Sequence, residues 1–143
     1  MTTALAAGAL LAAALAVDTG SQRTGGTAQG RVRPPAVLEC APERLTAYIG
    51  VVTRFSRERD RTILEIRTDW DTTEQVVIAH EADGPERWFL LRAKPFGPDG
   101  WKAIESAPGQ LRQGIRASAW ICEGGKNPLV DWNPAAEPPP PGR

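Results

Sequence analysis

Between Leu45 and His80 the chain alternates apolar and polar residues in three successive runs: LTAYIGVVTRF (45–55), TILEIRT (62–68) and EQVVIAH (74–80). A period of two puts every second side chain on one face of an extended chain, so each run is predicted to be a half-buried strand. In the first, Leu45, Ala47, Ile49, Val51 and Phe55 share a face; in the second, Leu64 and Ile66 point inward and Glu65 and Arg67 outward. The connections, SRERD (56–60) and DWDTT (69–73), are short and polar, so the three strands are expected to form a meander. Gly50 falls in mid-strand, where it weakens the element unless the chain bends or bulges there.

Beyond His80 the pattern changes. WFLLR (88–92) is a short apolar run, read as an extra strand or a cap. GPDGWKAIESAPG (97–109) predicts a helix, with Asp99 as N-cap, Trp101, Ile104 and Ala107 at helical spacing, and Pro108-Gly109 as the stop. LRQGIRASAWIC (111–122) reads as a turn followed by a strand with Ile115, Ala117, Ala119 and Ile121 on one face, and LVDW (129–132) is a final strand. This order, three strands, an insert, a helix and two strands, resembles the oligonucleotide/oligosaccharide-binding (OB) fold across residues 44–132. So does the Leu-x-x-Gly-then-strand entry of LRQGIRASAWIC. The resemblance implies a mainly β protein: a small five-stranded Greek-key barrel with one helix between its third and fourth strands. An SH3-like barrel is the alternative, against which the helix argues.

The ends carry different information. Ala4 to Val17 is an uncharged apolar run, shorter than the roughly 20 residues of a membrane span. It fits the apolar region of a secretory signal, and Ala14-Leu15-Ala16 supplies a small-x-small cleavage pattern, so residues 1–16 are read as a signal peptide cut after Ala16. Residues 17–36 are rich in Gly, Thr and Gln and read as a flexible linker; residues 134–143, with four consecutive prolines, read as a disordered tail. Residues 37–133 are left as one small domain with 13 Lys/Arg against 15 Asp/Glu, a net of −2. Such a balance excludes a strong field for nucleic acid or anionic lipid. The expected location is secreted or periplasmic.

Cys40 and Cys122 are the only two cysteines. In an exported chain such a pair is expected to form a disulfide. A Cys/His zinc site would need four ligands, and the chain has one histidine, His80, and no close cysteine pair.

The stretch RTDWDTTEQ (67–75) gathers Asp69, Asp71 and Glu74 around Trp70. With His80 these are weak metal candidates, but the connection lacks the glycine and length of a calcium loop, so a hairpin turn is expected and no metal or cofactor is assigned. Catalysis is not expected either: Ser21, Ser56, Ser106 and Ser118 lie in no Gly-x-Ser-x-Gly turn, and His80 is the only histidine. Exported haem chaperones of the OB class hold haem through a His with a nearby Tyr, whereas His80 is followed by Glu-Ala-Asp-Gly; the copper carriers use Met, and Met1 is the only methionine.

Binding remains. The OB resemblance implies a groove over strands two and three, flanked by SRERDR (56–61) and EGGKNP (123–128). Its candidate face is Arg57, Arg59, Arg61, Glu65, Arg67, Trp70, Val77, Trp120 and Lys126. The expected function is a monomeric, non-catalytic module that binds a protein or glycan of the bacterial cell envelope. A single-stranded nucleic-acid module and a small metal carrier are the alternatives. Basic rims and aromatics favour the former, but Glu58, Asp60, Glu65 and Glu123 cancel much of the charge.

Overall fold

A computed structural model describes residues 33–125 and 127–135. The expected signal peptide, most of the linker, Lys126 and the prolines beyond residue 135 lie outside the described residues. Among the described residues no helix is long and apolar enough to cross a membrane.

The protein is mainly β. The meander is present as β1 (Leu45–Arg57), β2 (Arg61–Thr68) and β3 (Thr73–Ala79). After it come β4 (Phe89–Leu91), β5 (Lys94–Pro95), a short helix α1 (Gly100–Ile104), the hairpin β6 (Glu105–Ala107) and β7 (Gln110–Leu111), then β8 (Arg116–Cys122) and β9 (Leu129–Asn133). Seven strands form one sheet in the order β3-β2-β1-β8-β9-β4-β5, and β6 pairs only with β7. All ladders are antiparallel except β4 with β9, which run parallel.

One side of this sheet is the core. Leu64, Ile66, Val76 and Ile78 from one end of the sheet share a buried cluster with Phe89, Val130 and Trp132 from the other. Both ends can reach one cluster only if the sheet curls around it. Five aromatic rings fill the middle: Phe89 lies edge-on to Phe96, Trp101 and Trp132 at 5.3, 5.7 and 5.3 Å, and Phe55 meets Trp132 at 6.1 Å. Such tilted contacts suit the ring quadrupoles and add to the burial itself.

Strand β1 corrects the sequence reading. Phe55 was expected beside Leu45, Ala47, Ile49 and Val51, but a bulge between Val52 and Arg54 inserts one residue against β2. The insertion changes the parity of the strand. Tyr48, Val52 and Phe55 therefore pack on the core, while Leu45 and Ala47 face the other side. Gly50 sits just before the bulge, where a Cβ would lie 2.0 Å from the Arg67 carbonyl oxygen. Only glycine lets β2 cross so closely.

The side opposite the core is itself half buried. Leu90, Trp120 and Leu129 form a second cluster, completed by Leu45, Ala47 and Leu38. Leu38 belongs to the segment preceding β1, which the Cys40–Cys122 disulfide ties to the end of β8. The bond confirms the expected pairing, with a sequence separation of 82.

The helix is much shorter than expected. Asp99 occupies the N-cap position without a side-chain cap bond, α1 has five residues, and Glu105 already has extended backbone angles. Ala107 precedes Pro108, which disfavours helical backbone at that residue. Pro108 followed by Gly109 at φ 78° instead forms the two-residue loop between β6 and β7, the residue pattern of a type II turn.

Candidate binding face

The outer face of β1, β2 and β3 is the open half of the sheet. Cross-strand pairing sets its rows: Val51–Arg67–Thr73, Arg54–Glu65–Gln75 and Ser56–Ile63–Val77. Glu65 is tied down from β1, accepting from Thr53 Oγ1 at 2.9 Å and lying 3.9 Å from Arg54. Arg61 is held by Glu58 at 3.0 Å and Asp60 at 3.4 Å, within its own hairpin. Arg67 enters no ion pair among the described residues. Val77, two rows away on β3 beside Ile63, is 45 % exposed.

At one end of this face stands the turn of RTDWDTTEQ. The Thr68 N–H donates to Thr72 O at 2.8 Å, the Asp71 N–H to Thr68 O at 2.9 Å, and the Asp69 N–H to Ile49 O at 2.9 Å. Thr68 and Thr72 join their hydroxyls at 2.8 Å. Asp71 takes the left-handed conformation at φ 61°, which Asp tolerates better than most residues. The Asp69 carboxylate accepts Arg116 Nη2 on both oxygens, at 2.8 and 2.6 Å. The turn is thereby fastened to β1 and β8, and Trp70 at its tip is 75 % exposed.

The weak metal candidates do not come together. Both oxygens of Asp69 are engaged by Arg116. His80 follows the far end of β3, some six residues and about 20 Å of strand from Glu74. Among the described residues no three His, Cys, Asp or Glu side chains are grouped to hold a metal ion. His80 is committed elsewhere: Nδ1 lies 2.6 Å from the Glu81 carbonyl, which can only accept, and Nε2 lies 2.9 Å from Thr62 Oγ1. That hydroxyl–imidazole pair has the composition of a nucleophile and its base, but Thr62 is fully buried, out of reach of a substrate carbonyl.

Other expected members of the face lie elsewhere. Trp120 is 3 % exposed and belongs to the second cluster, because it pairs with Ala47 and Leu129 under the disulfide-tied segment. Arg57 pairs with buried Thr62 and stacks its guanidinium 4.1 Å over Trp101, whose indole N–H donates to Glu86 at 2.7 Å. It rims the core side. Arg59 lines a polar cavity of about 330 Å³ with Glu58, His80, Asp83 and Glu86. Lys126 lies outside the described residues. Conversely, Ile63, Gln75 and Arg116 were missed. The first two were legible from strand parity; Arg116 lies 47 residues from Asp69, and nothing local marks the pair.

A second, larger cavity of about 650 Å³ runs beside the disulfide, lined by Leu38, Trp88, Cys122, Asn127 and Leu129 among others. No protein-family model, curated protein or solved structure matches the chain.

Proposed function

We propose that this protein is a non-catalytic binding module of the cell envelope that holds a protein or glycan partner on the outer face of β2 and β3, with Trp70 as anchor and Arg67 beside it. The observation that carries this reading is the exposure of Trp70, 75 %, on a turn fixed by hydrogen bonds and the Arg116–Asp69 ion pair. An exposed ring without a partner contributes nothing to folding, whereas buried under a partner it is a typical hot spot. The Cys40–Cys122 bond is consistent with an oxidising compartment and supports the reading of residues 1–16 as an export signal.

We infer the OB architecture as the fold behind it. Its support is topological: a three-strand meander whose first strand also pairs β8, a last strand on β8, and a chain segment after β3 that returns to pair with that last strand. Asn127 of the β8–β9 loop also bonds the backbone of Ala79, bringing that loop against β3.

Single-strand nucleic-acid binding is the second reading, supported by Trp70 and Arg67. It is weakened because Arg54, Arg61 and Arg116 are each engaged by a carboxylate. One experiment separates them. Immobilised protein is exposed to an envelope extract, a glycan panel and labelled single-stranded DNA, for wild type, Trp70→Ala and Arg67→Ala. The proposal expects a protein or glycan retained by wild type and lost at least about tenfold in Trp70→Ala. Equal retention by all three proteins sinks the assigned face. DNA retention that falls steeply with salt transfers the function to the second reading.

A further inference from the structure

The two edges of the seven-stranded sheet are finished differently. β5 is only Lys94 and Pro95, a charge and a residue without N–H, both of which deter a further strand. β3 has seven residues, TEQVVIA, with no Pro, Lys, Arg or bulge, and Glu74 is its only charge. Asn127 accepts the Ala79 N–H at 3.1 Å and donates its own amide to the Ala79 carbonyl, so one side chain supplies both bonds of a ladder rung. The Ala79 backbone groups therefore point away from β2, whereas the next N–H, of His80, bonds Asp60 O on the β2 side. Alternation along the strand aims the N–H and C=O of Thr73, Gln75 and Val77 outward as well. Among the described residues nothing pairs with them.

We propose that this edge pairs antiparallel with the same edge of a second copy of the chain, about a two-fold axis at Gln75. The Asn127 rung blocks pairing beyond Val77 and the Trp70 turn blocks it before Thr73, so the open stretch is centred on Gln75. In that register Gln75 meets Gln75 and Thr73 meets Val77, each an outward-facing rung. The side-chain rows across the seam become Arg67–Thr73 against Val77–Ile63, and Glu65–Gln75 against Gln75–Glu65. Along these outer rows no like charges become neighbours, because two glutamines separate the two Glu65, each of which stays with its own Thr53 and Arg54. On the core side Glu74 falls opposite Val76, and the two Glu74 lie one rung apart on the diagonal, a weak repulsion that keeps the dimer from being tight. The exposed Val77 is covered by Thr73 of the other copy. Five residues a side make a small seam, so the dimer is weak, forming in the micromolar range and above. The two Trp70 tips come to opposite ends of one continuous outer face. This proposal does not depend on what Trp70 binds.

The test is sedimentation of the full chain from about 5 to 500 μM, with two edge variants, followed by cysteine cross-linking. Gln75→Pro removes one outward N–H and leaves the β2 ladder untouched; Val77→Lys adds a charge to the edge. The expected result is a concentration-dependent dimer whose dissociation constant rises at least about tenfold in both, at unchanged circular dichroism and melting. Gln75→Cys should oxidise to a covalent dimer, whereas Thr73→Cys, facing Val77, should do so only when mixed with Val77→Cys. A wild-type chain that stays monomeric throughout overturns the proposal. So does a dimer unaffected by both edge variants, or one in which Thr73→Cys alone cross-links and Gln75→Cys does not. If the monomer instead captures an extended peptide and Gln75→Pro abolishes that, the edge belongs to a foreign strand and self-pairing is wrong.

Discussion

The outer face of the sheet has two halves with opposite fates. Over β1, β8, β9 and β4 it presents Leu45, Ala47, Trp120, Leu129 and Leu90, and the segment carrying Leu38 lies across them, tied by Cys40–Cys122. Over β2 and β3 it presents Glu65, Arg67, Gln75 and Val77 to water. The same strand, β1, serves both halves and also the core, because its bulge changes parity midway. A domain of this size buries a modest share of its surface, and a second apolar cluster on the far side of the sheet adds to what one core can supply. What decides between the two halves is whether a stretch of chain is available to cover the face, and whether something holds it there.

Breaking the tie should have the largest effect. Cys40→Ala with Cys122→Ala opens a loop spanning a separation of 82 residues, and urea unfolding should show a loss of about 4 kcal/mol. Protease should then cut the segment before Leu45 faster than in the disulfide-bonded protein. If stability falls but that segment stays resistant, the second cluster holds it without the bond. Next comes Trp120→Ala, which should cost about 3 kcal/mol as a core truncation. A change within about 0.5 kcal/mol would return Trp120 to the surface, where the sequence reading placed it. Trp120→Phe should cost clearly less than Trp120→Ala, since the buried indole N–H has no hydrogen-bond partner among the described residues and its loss removes an unsatisfied donor.

Trp120 also shows where sequence reading stops. Strand parity put it correctly opposite Ala117 and Ala119, but parity alone cannot tell a face in water from a face covered by chain that lies 80 residues upstream. The meander and the disulfide were legible because each follows from a local period or from residue counting. Phe55 was misplaced because a bulge is a property of two strands together; Gly50 hinted at it, without saying which residue would be inserted. The helix was overextended because Trp101 and Ile104 fit a helical period, while Pro108-Gly109, read as a stop, instead turns a hairpin that removes Glu105 to Ala107 from the helix. At the candidate face, Glu65, Arg67 and Val77 followed from alternation. The ion pair that fixes the Trp70 turn did not, since Arg116 becomes a neighbour of Asp69 only once β8 lies beside β1.

That ion pair gives the third test. Arg116→Ala leaves Asp69 without its partner, and with side chains 44 % and 34 % exposed the loss should be no more than about 1 kcal/mol. If the pair serves to fix the turn, the variant should weaken partner retention more than its small stability change explains, with Arg116→Lys recovering much of it, because Nη2 alone reaches both Asp69 oxygens and an ammonium keeps that charge.

The smallest stability effect, and the most informative about function, belongs to Trp70→Ala. The ring touches little of its own protein, so unfolding free energy should move by less than about 0.5 kcal/mol, against about 3 kcal/mol for Trp120→Ala. Two tryptophans, one at a turn tip and one within a strand of the same sheet, would then differ several-fold in what they contribute to folding. If Trp70→Ala also loses partner binding, the covered half of the face is structural and the open half functional, and the boundary between them is β1. If Trp70→Ala destabilises the fold as much as Trp120→Ala does, Trp70 is covered in the native protein, and the chain that covers it must come from outside the described residues.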